Sequence, residues 1–392
     1  MGRSISRCEA RVTRRCADGR QRKPGEPIVT VNSKIEWCDR TWSPWEGCQK
    51  VGPGCDHCYA EAMNHWLRRG ENWGPGALRR TYGPDHWEKP LRWNARAQAA
   101  GQQLKVFPSV CDPFDNAAPA GARVAFGRLI LATPALIWLL LTKRIGNAQV
   151  MLRQMFPEET PSNVWLGVTV VNQDEADRDI PKLLTIPVSL RFLSLEPLLG
   201  AIDLESVAWP GIETHRVDVL RGGYWNQAPY VVGAAAAAIG TPKGGFTNHS
   251  DFPATIDWVI TGGESGRGAR IAHPAWVRGL RDQCDGAGVP FMFKQWGQWC
   301  PGIGATNEQI DAARTGGWVS LDGAFHDGND SGAFRPGDEQ MISVGKKLAG
   351  RTLDDVIHHA FPAAFPEPSF SLVPANCSPQ PRIIPIDGDH HA

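Results

Sequence analysis

The chain has 392 residues, of which 42% are hydrophobic and 21% are charged, and its formal net charge is zero. This composition is ordinary for a soluble globular protein, and the charge balance gives no global reason to expect binding to nucleic acid or to a membrane. The ten cysteines have irregular spacing, which is not the pattern of a disulfide scaffold. We therefore expect a reducing, cytoplasmic setting in which some cysteines hold a metal or a cluster.

The N-terminal residues 1–32 are basic and poor in large apolar side chains, which predicts a disordered segment. The alternatives are a nucleic-acid-binding arm and a solvated or mis-assigned start, and Cys8 and Cys16 are not counted as ligands. No apolar run follows Arg14-Arg15, which argues against a twin-arginine signal. The most apolar stretch, residues 129–141, is too short to span a bilayer, so we expect no membrane contact.

Three cysteines lie in one glycine-rich turn, where Cys48, Cys55 and Cys58 have the spacing C-x6-C-x2-C. A predicted helix follows over residues 58–69. Three thiolates on one loop can hold a 4Fe–4S cluster and leave one iron open for another ligand. The spacing therefore predicts a cluster at this turn.

A zinc site is the alternative for the same cysteines. Structural zinc normally has four protein ligands, often from two C-x2-C pairs, and this chain has no second C-x2-C. Zinc would need His57 or Cys38 as its fourth ligand. The protein would then be a non-enzymatic module that binds nucleic acid or another protein.

Seven short apolar runs predict buried parallel strands, because their apolar residues are continuous rather than alternating. Predicted helices lie between them, among them residues 172–185 and 274–286. The repeated alternation predicts an α/β fold with a complete or partial (β/α) barrel. The seven runs are residues 41–47, 104–109, 137–141, 164–171, 189–195, 256–260 and 289–293.

The barrel-like domain is predicted to cover residues 33–360, with a long insertion at about 205–253 that is rich in Gly and Ala. An insertion of this length is either functional, as a lid over the substrate, or a plain excursion. The proline-rich residues 361–392 predict an extended tail outside the core.

Polar residues follow almost every predicted strand. In a (β/α) barrel the carboxyl ends of the strands meet at one mouth, where chemistry takes place. Glu196, Lys294 and Lys143 are the candidate catalytic residues, since a carboxylate at a strand end must be paired or lie at the mouth. The lysines either pair with it in a structural salt-bridge ring or bind a phosphate or carboxylate. Ser109 ends another of these strands.

The cysteine turn resembles the cluster loop of radical S-adenosylmethionine enzymes. The resemblance implies that S-adenosylmethionine binds the open iron, and that its reduction yields a 5′-deoxyadenosyl radical. It also implies that Gly262-Gly263-Glu264 approaches the amino group of this cosubstrate, and His57 and Ser109 are further candidate cofactor-binding residues. A tight backbone turn is the alternative for the two glycines. The six-residue gap after Cys48, and His57 before the last cysteine, depart from the usual C-x3-C-x2-C pattern with its aromatic residue.

A series of motifs occurs in order along the chain. They lie at residues 33–37, 54–61, 141–144, 164–168, 196–200, 257–260, 262–266, 293–297 and 345–351. Together these motifs resemble a phage-associated family of uncharacterised three-cysteine proteins, over about residues 33–362. That family is itself similar to radical S-adenosylmethionine enzymes. Residues 111–115 depart from it, because members more often carry a serine-containing Asp-Leu-Phe segment there.

The resemblance and the cysteine spacing together predict a phage-related radical S-adenosylmethionine enzyme with a 4Fe–4S cluster at Cys48, Cys55 and Cys58. We expect a nucleobase or nucleotide as its substrate and an electron donor such as flavodoxin or ferredoxin as its partner. A light-independent enzyme that repairs DNA lesions is a further alternative, which shares the mechanism and differs in substrate.

Overall fold

A computed structural model describes residues 33–225, 246–248, 252, 254–327 and 335–363. The predicted basic segment 1–32 lies outside the described residues, as do most of the tail 361–392 and the part of the insertion that is rich in Gly and Ala.

Strands and helices alternate along most of the described chain, as the apolar runs predict. In chain order the strands are β1 (Arg40–Thr41), β2 (Leu104–Phe107), β3 (Leu136–Thr142), β4 (Val164–Thr169), β5 (Leu190–Leu195), β6 (Val207–Trp209), β7 (Ile212–Val217), β8 (Gly223–Trp225), β9 (Phe246–Asn248), β10 (Trp258–Gly262), β11 (Phe291–Gln295), β12 (Trp299–Pro301), β13 (Gly316–Val319), β14 (Phe325–Asp327) and β15 (Glu339–Ser343). The helices are α1 (Tyr59–Arg68), α2 (Pro84–Ala100), α3 (Ala122–Leu131), α4 (Ile145–Met155), α5 (Gln173–Leu184), α6 (Pro274–Ala287), α7 (Asn307–Ala312) and α8 (Lys346–Ala349).

Six of the seven apolar runs form strands of one seven-stranded sheet, whose order is β1-β2-β3-β4-β5-β10-β11. The first run, residues 41–47, contributes only Thr41 to the two-residue strand β1. Every neighbouring pair is parallel, so the carboxyl ends of the strands share one edge. The sheet curls into a half-barrel. The prediction of a partial (β/α) barrel is therefore confirmed, and that of a complete barrel is wrong, because β1 and β11 do not pair within the described part of the chain.

Both faces of the sheet are buried, as continuous apolar strands require. The outer face packs against the helices through side chains such as Trp138 and Leu140. The inner face is filled by aromatic rings, with Trp37 4.4 Å from Phe107 between ring centroids. Phe361 also packs there, 5.1 Å from the ring of Trp258. The start of the predicted tail therefore belongs to the core.

Helix α1 has the predicted position but the opposite orientation. Its apolar residues Met63, Trp66 and Leu67 are exposed, and Trp66 is 83% exposed. The buried residues are Ala60 and Asn64, and the Asn64 side chain donates to buried Glu46. Because a buried carboxylate needs hydrogen-bond donors, the polar side of this helix faces the core.

Two features of the fold have no counterpart in the sequence predictions. Strands β12–β15 form a four-stranded antiparallel sheet, in the order β12-β15-β13-β14. Within the predicted insertion, β6 pairs with β7 and β8 with β9, both antiparallel. None of the described helices is long and apolar enough to cross a membrane.

Gly167 in β4 gives a test of packing on the inner face. A Cβ at this position would overlap the ring of Phe192. We expect Gly167→Ala to lower the free energy of unfolding by about 1–3 kcal/mol, because the ring must move. Urea unfolding of the purified protein measures this change.

Gly146→Ala is the matched control, since a Cβ there meets no atom within 4 Å and the residue lies in α4. It should be neutral or stabilising by up to about 1 kcal/mol. Equal effects of the two substitutions would contradict the packing described for β4.

Candidate functional site

A cavity of about 550 Å³ lies at the edge of the sheet where the parallel strands end. Almost all the predicted site residues line it. They are Cys48, Cys55, His57, Cys58, Ser109, Lys143, Glu196, Gly263, Glu264 and Lys294. Gly262 lies behind the lining, where a Cβ would come within 2.5 Å of Glu196 Oε1. Residues far apart in the chain thus meet at one place, as the strand-end argument predicts.

The cysteine loop connects β1 to α1. Gly47 precedes it with φ at +123°, and a Cβ there would overlap the carbonyl oxygen of Asn72, so this position requires glycine. The segment Pro53–Cys55 forms a 3-10 turn that Cys55 N–H closes onto Gly52 O at 3.0 Å. Cys58 is the N-cap residue of α1, where its carbonyl accepts from Ala62 N–H at 3.0 Å and its side chain makes no capping hydrogen bond. The loop is therefore fixed locally at both of its ends.

Arg144 binds the first cysteine. Its Nη1 donates to Cys48 Sγ at 3.4 Å and to Asp112 Oδ2 at 3.1 Å, and its Nη2 donates to Gln49 O at 2.8 Å. Burial raises the pKa of the Cys48 thiol to about 11, and Asp112 adds to this while Arg144 opposes it. The thiol is therefore protonated at neutral pH, and a metal that binds it must displace the proton.

Glu264 and Arg270 hold the cysteine loop against the end of β10. The guanidinium of Arg270 donates to both carboxylate oxygens of Glu264, at 3.0 and 2.6 Å. It also donates to Asp56 Oδ2 and to Pro53 O, both at 2.9 Å. His57 Nδ1 lies 2.8 Å from Glu264 Oε2. Burial raises the pKa of Glu264, but the hydrogen bonds from Arg270 and His57 outweigh it and hold that pKa below its usual range.

The predicted catalytic residues form a smaller group in the wall. Lys294 Nζ lies 3.2 Å from Glu196 Oε2, so the two form an ion pair across the ends of β5 and β11. Lys143 Nζ donates to Thr169 Oγ1 at 3.4 Å. The Ser109 carbonyl accepts from the hydroxyl of Tyr59 at 2.5 Å. The pairing predicted for Glu196 is thus present with one of the two lysines.

Three of the four other described cysteines differ in their surroundings. Cys38 is buried among the inner-face rings and lies 3.3 Å from Ser33 Oγ. Cys284 is fully buried in α6, as its position on the apolar face predicts. Cys111 lines the cavity, and burial raises its pKa well above the usual value. Of these three, only Cys111 shares the cavity with the loop.

Within the described residues, no three His, Cys, Asp or Glu side chains are placed to hold one metal ion. In a 4Fe–4S cluster each thiolate binds a different iron, so three thiols can hold a cluster without converging on one ion. The cluster and its cosubstrate stay predictions.

The sequence analysis did not predict several residues of the site. Arg270 follows a glycine-rich loop without any motif that indicates its role. Lys34 and Lys346 also line the cavity, although they lie at opposite ends of the described chain. Both belong to the ordered motifs 33–37 and 345–351, which is the signal that could have indicated them.

The chain belongs to a family described as protein of unknown function (DUF5131), whose model matches residues 32–362. The matched region coincides with the one covered by the ordered motifs. Comparisons with curated proteins and with solved structures gave no match. The family is thus shown, while its phage association and its relation to radical S-adenosylmethionine enzymes stay predictions.

The contacts of Arg270 give a test of how the loop is held. We expect Arg270→Ala to raise the rate at which iodoacetamide modifies buried Cys55 by about tenfold, because the loop loses two hydrogen bonds to the end of β10 and opens more often. Mass spectrometry of the labelled peptide measures the rate at each cysteine.

Arg267→Ala is the control. Arg267 lies exposed in the 264–270 loop, beside Arg270, and its substitution removes the same charge. It should leave the rate unchanged. Equal rates in wild-type protein and in Arg270→Ala would show that Arg270 does not hold the loop.

Proposed function

We propose that this protein is an enzyme that binds a 4Fe–4S cluster through Cys48, Cys55 and Cys58 and S-adenosylmethionine in the adjoining cavity. The observation that carries the proposal is that three thiols of one loop line a single cavity at the strand ends of a parallel half-barrel. When bound, a reduced cluster supplies the electron that cleaves the cosubstrate's sulfonium and so begins radical chemistry.

The donor set fits a cluster. A cluster with three thiolates is an anion, and the guanidinium of Arg144 already donates to Cys48 Sγ. Hydrogen bonds to the sulfur atoms and nearby positive charge stabilise such clusters. Buried apolar side chains of Trp37 and Phe107 form another part of the wall, which keeps water away from that part of the cavity.

The other residues of the site position the cysteine loop or bind the ligand. Glu264 and Arg270 hold the loop, which leaves both Glu264 oxygens occupied. We therefore assign Glu264 a positioning role, and its predicted contact with the cosubstrate's amino group is secondary. Glu196 lies in the lining, and its ion pair with Lys294 balances its charge. Lys143 lies against the cysteine loop at Gly54, where its ammonium can bind a carboxylate or phosphate oxygen.

The zinc alternative has less support than the cluster, because it requires Cys38 or His57 as a fourth ligand and both have other contacts. Cys38 packs in the aromatic inner face and bonds to Ser33. Both ring nitrogens of His57 lie against the 264–268 loop, Nδ1 at Glu264 and Nε2 3.6 Å from where a Cβ of Gly268 would be. Neither residue is placed to complete a tetrahedral site with the three thiols without rearrangement.

Electron paramagnetic resonance tests the proposal directly. Anaerobically purified protein, reduced with dithionite, should give a 4Fe–4S signal that changes when S-adenosylmethionine is added, because the cosubstrate binds the open iron. Cys55→Ala should lose the signal. Cys284→Ala, which removes a fully buried thiol outside the cavity, should keep it.

Two results would overturn the proposal. A silent spectrum from protein that contains about one zinc per chain would make the protein a zinc-binding module. A complete cluster in Cys55→Ala would show that the assignment of the ligands is wrong.

Arg144 provides a second test, which reads the cluster potential rather than activity. We expect Arg144→Gln to lower the midpoint potential, because the reduced cluster loses a positive charge and a hydrogen bond to sulfur. A redox titration followed by electron paramagnetic resonance measures it. Arg153→Gln, an exposed change of equal charge in α4, is the control, and equal shifts in both variants would contradict a specific contact with Cys48.

A further inference from the structure

The lining of the cavity carries an excess of positive charge. Six cationic side chains line it against three carboxylates, although the chain as a whole is neutral. The cations are Lys34, Lys50, Lys143, Arg144, Lys294 and Lys346, and the carboxylates are Asp112, Glu196 and Glu264. A lining with this imbalance favours an anionic ligand.

Each of the three carboxylates already has a cationic partner, and one lysine at the rim has a carboxylate partner. The pairs are Asp112–Arg144 at 3.1 Å, Glu196–Lys294 at 3.2 Å, Glu264–Arg270 at 2.6 Å and Lys50–Glu61 at 3.4 Å. Three cations are left, Lys34, Lys143 and Lys346, which we call the lysine set. As far as the structure describes the chain, none of the three forms an ion pair with a carboxylate.

The proposed cofactors do not account for this excess. A 4Fe–4S core with three thiolates carries about one negative charge, and S-adenosylmethionine carries about one positive charge at neutral pH. Together they are close to neutral. The lysine set therefore favours a further anionic group, which the substrate would supply.

Two buried polar atoms in the same wall point to a second part of the ligand. Trp37 is 2% exposed and Gln295 is 8% exposed, and both line the cavity. Trp37 Nε1 and Gln295 Oε1 have no hydrogen-bond partner among the described residues, while Gln295 Nε2 donates to Ser265 Oγ. Both atoms are themselves out of contact with water, and leaving them unpaired costs about 1–3 kcal/mol each. A ligand that they reach by a side-chain rotation should therefore supply both an acceptor and a donor.

We propose that the substrate bound in this cavity is a nucleoside phosphate. Its phosphate binds the lysine set, and the edge of its base, which carries donors and acceptors side by side, binds Trp37 and Gln295. The inference rests on the proposed function for the reaction, but its ligand class comes from the lining charges and the two unpartnered atoms.

Equilibrium dialysis of the full-length protein tests the proposal. The probes are the four deoxynucleoside 5′-monophosphates, the four matching nucleosides and ribose 5-phosphate. At least one monophosphate should bind about tenfold more tightly than its nucleoside and than ribose 5-phosphate, and added KCl should weaken its binding.

Matched variants locate the two parts of the site. Lys346→Gln should weaken binding of the monophosphate by about three- to tenfold, while Lys347→Gln, an exposed neighbour outside the lining, should not. Gln295→Leu should remove the preference for the monophosphate over ribose 5-phosphate and keep the preference for phosphate.

Each contrary result rejects the phosphate site, the base site or both. Equal binding of nucleoside and monophosphate, or equal losses in Lys346→Gln and Lys347→Gln, rejects the phosphate site. Equal binding of ribose 5-phosphate and all four monophosphates rejects the base site, and binding of no probe rejects both.

Paramagnetic resonance of the same samples separates this inference from the proposed function. A cluster that responds to S-adenosylmethionine, without any preference for monophosphates, rejects the nucleoside phosphate alone. Protein that forms no cluster but binds monophosphates through Lys346 keeps the site and rejects the radical enzyme.

Discussion

The parallel order of the sheet is the constraint on which the rest of this molecule depends. Since every strand runs in the same direction, all seven carboxyl ends share one edge. The inner face beneath that edge is filled by buried rings such as Trp165 and Trp258. The cavity is therefore confined to the edge where the polar residues are.

Burial of charge at this edge explains how the lining is organised. An isolated carboxylate there would be costly, and Asp112, Glu196 and Glu264 each pair with a different cation. Two of these pairs also contact the cysteine loop, through Arg144 at Cys48 and Arg270 at Asp56. The ion pairs that neutralise Asp112 and Glu264 thus also fix the loop whose cysteines line the cavity.

Much of this arrangement could be predicted from the sequence, because it depends on local patterns. Continuous apolar runs such as residues 137–141 indicate strands with two covered faces, and polar residues after them indicate the mouth. The orientation of α1 could not be predicted, because its buried side is determined by Asn64 and its contact with Glu46, which lies in a different element. Nor could the partners of Arg270, because they depend on how the 264–270 loop meets the cysteine loop in three dimensions.

The ordered motifs along the chain gain a physical meaning from the cavity. Motifs 164–168 and 257–260 lie largely within β4 and β10 and contribute mainly to packing. The other motifs, from 33–37 at one end to 345–351 at the other, each place at least one residue in the lining. Packing alone requires no lysine at positions 34 and 346, both of which are exposed. Segments so far apart in the chain meet in the lining of one cavity, so most of the ordered motifs of this chain are explained by that cavity rather than by packing.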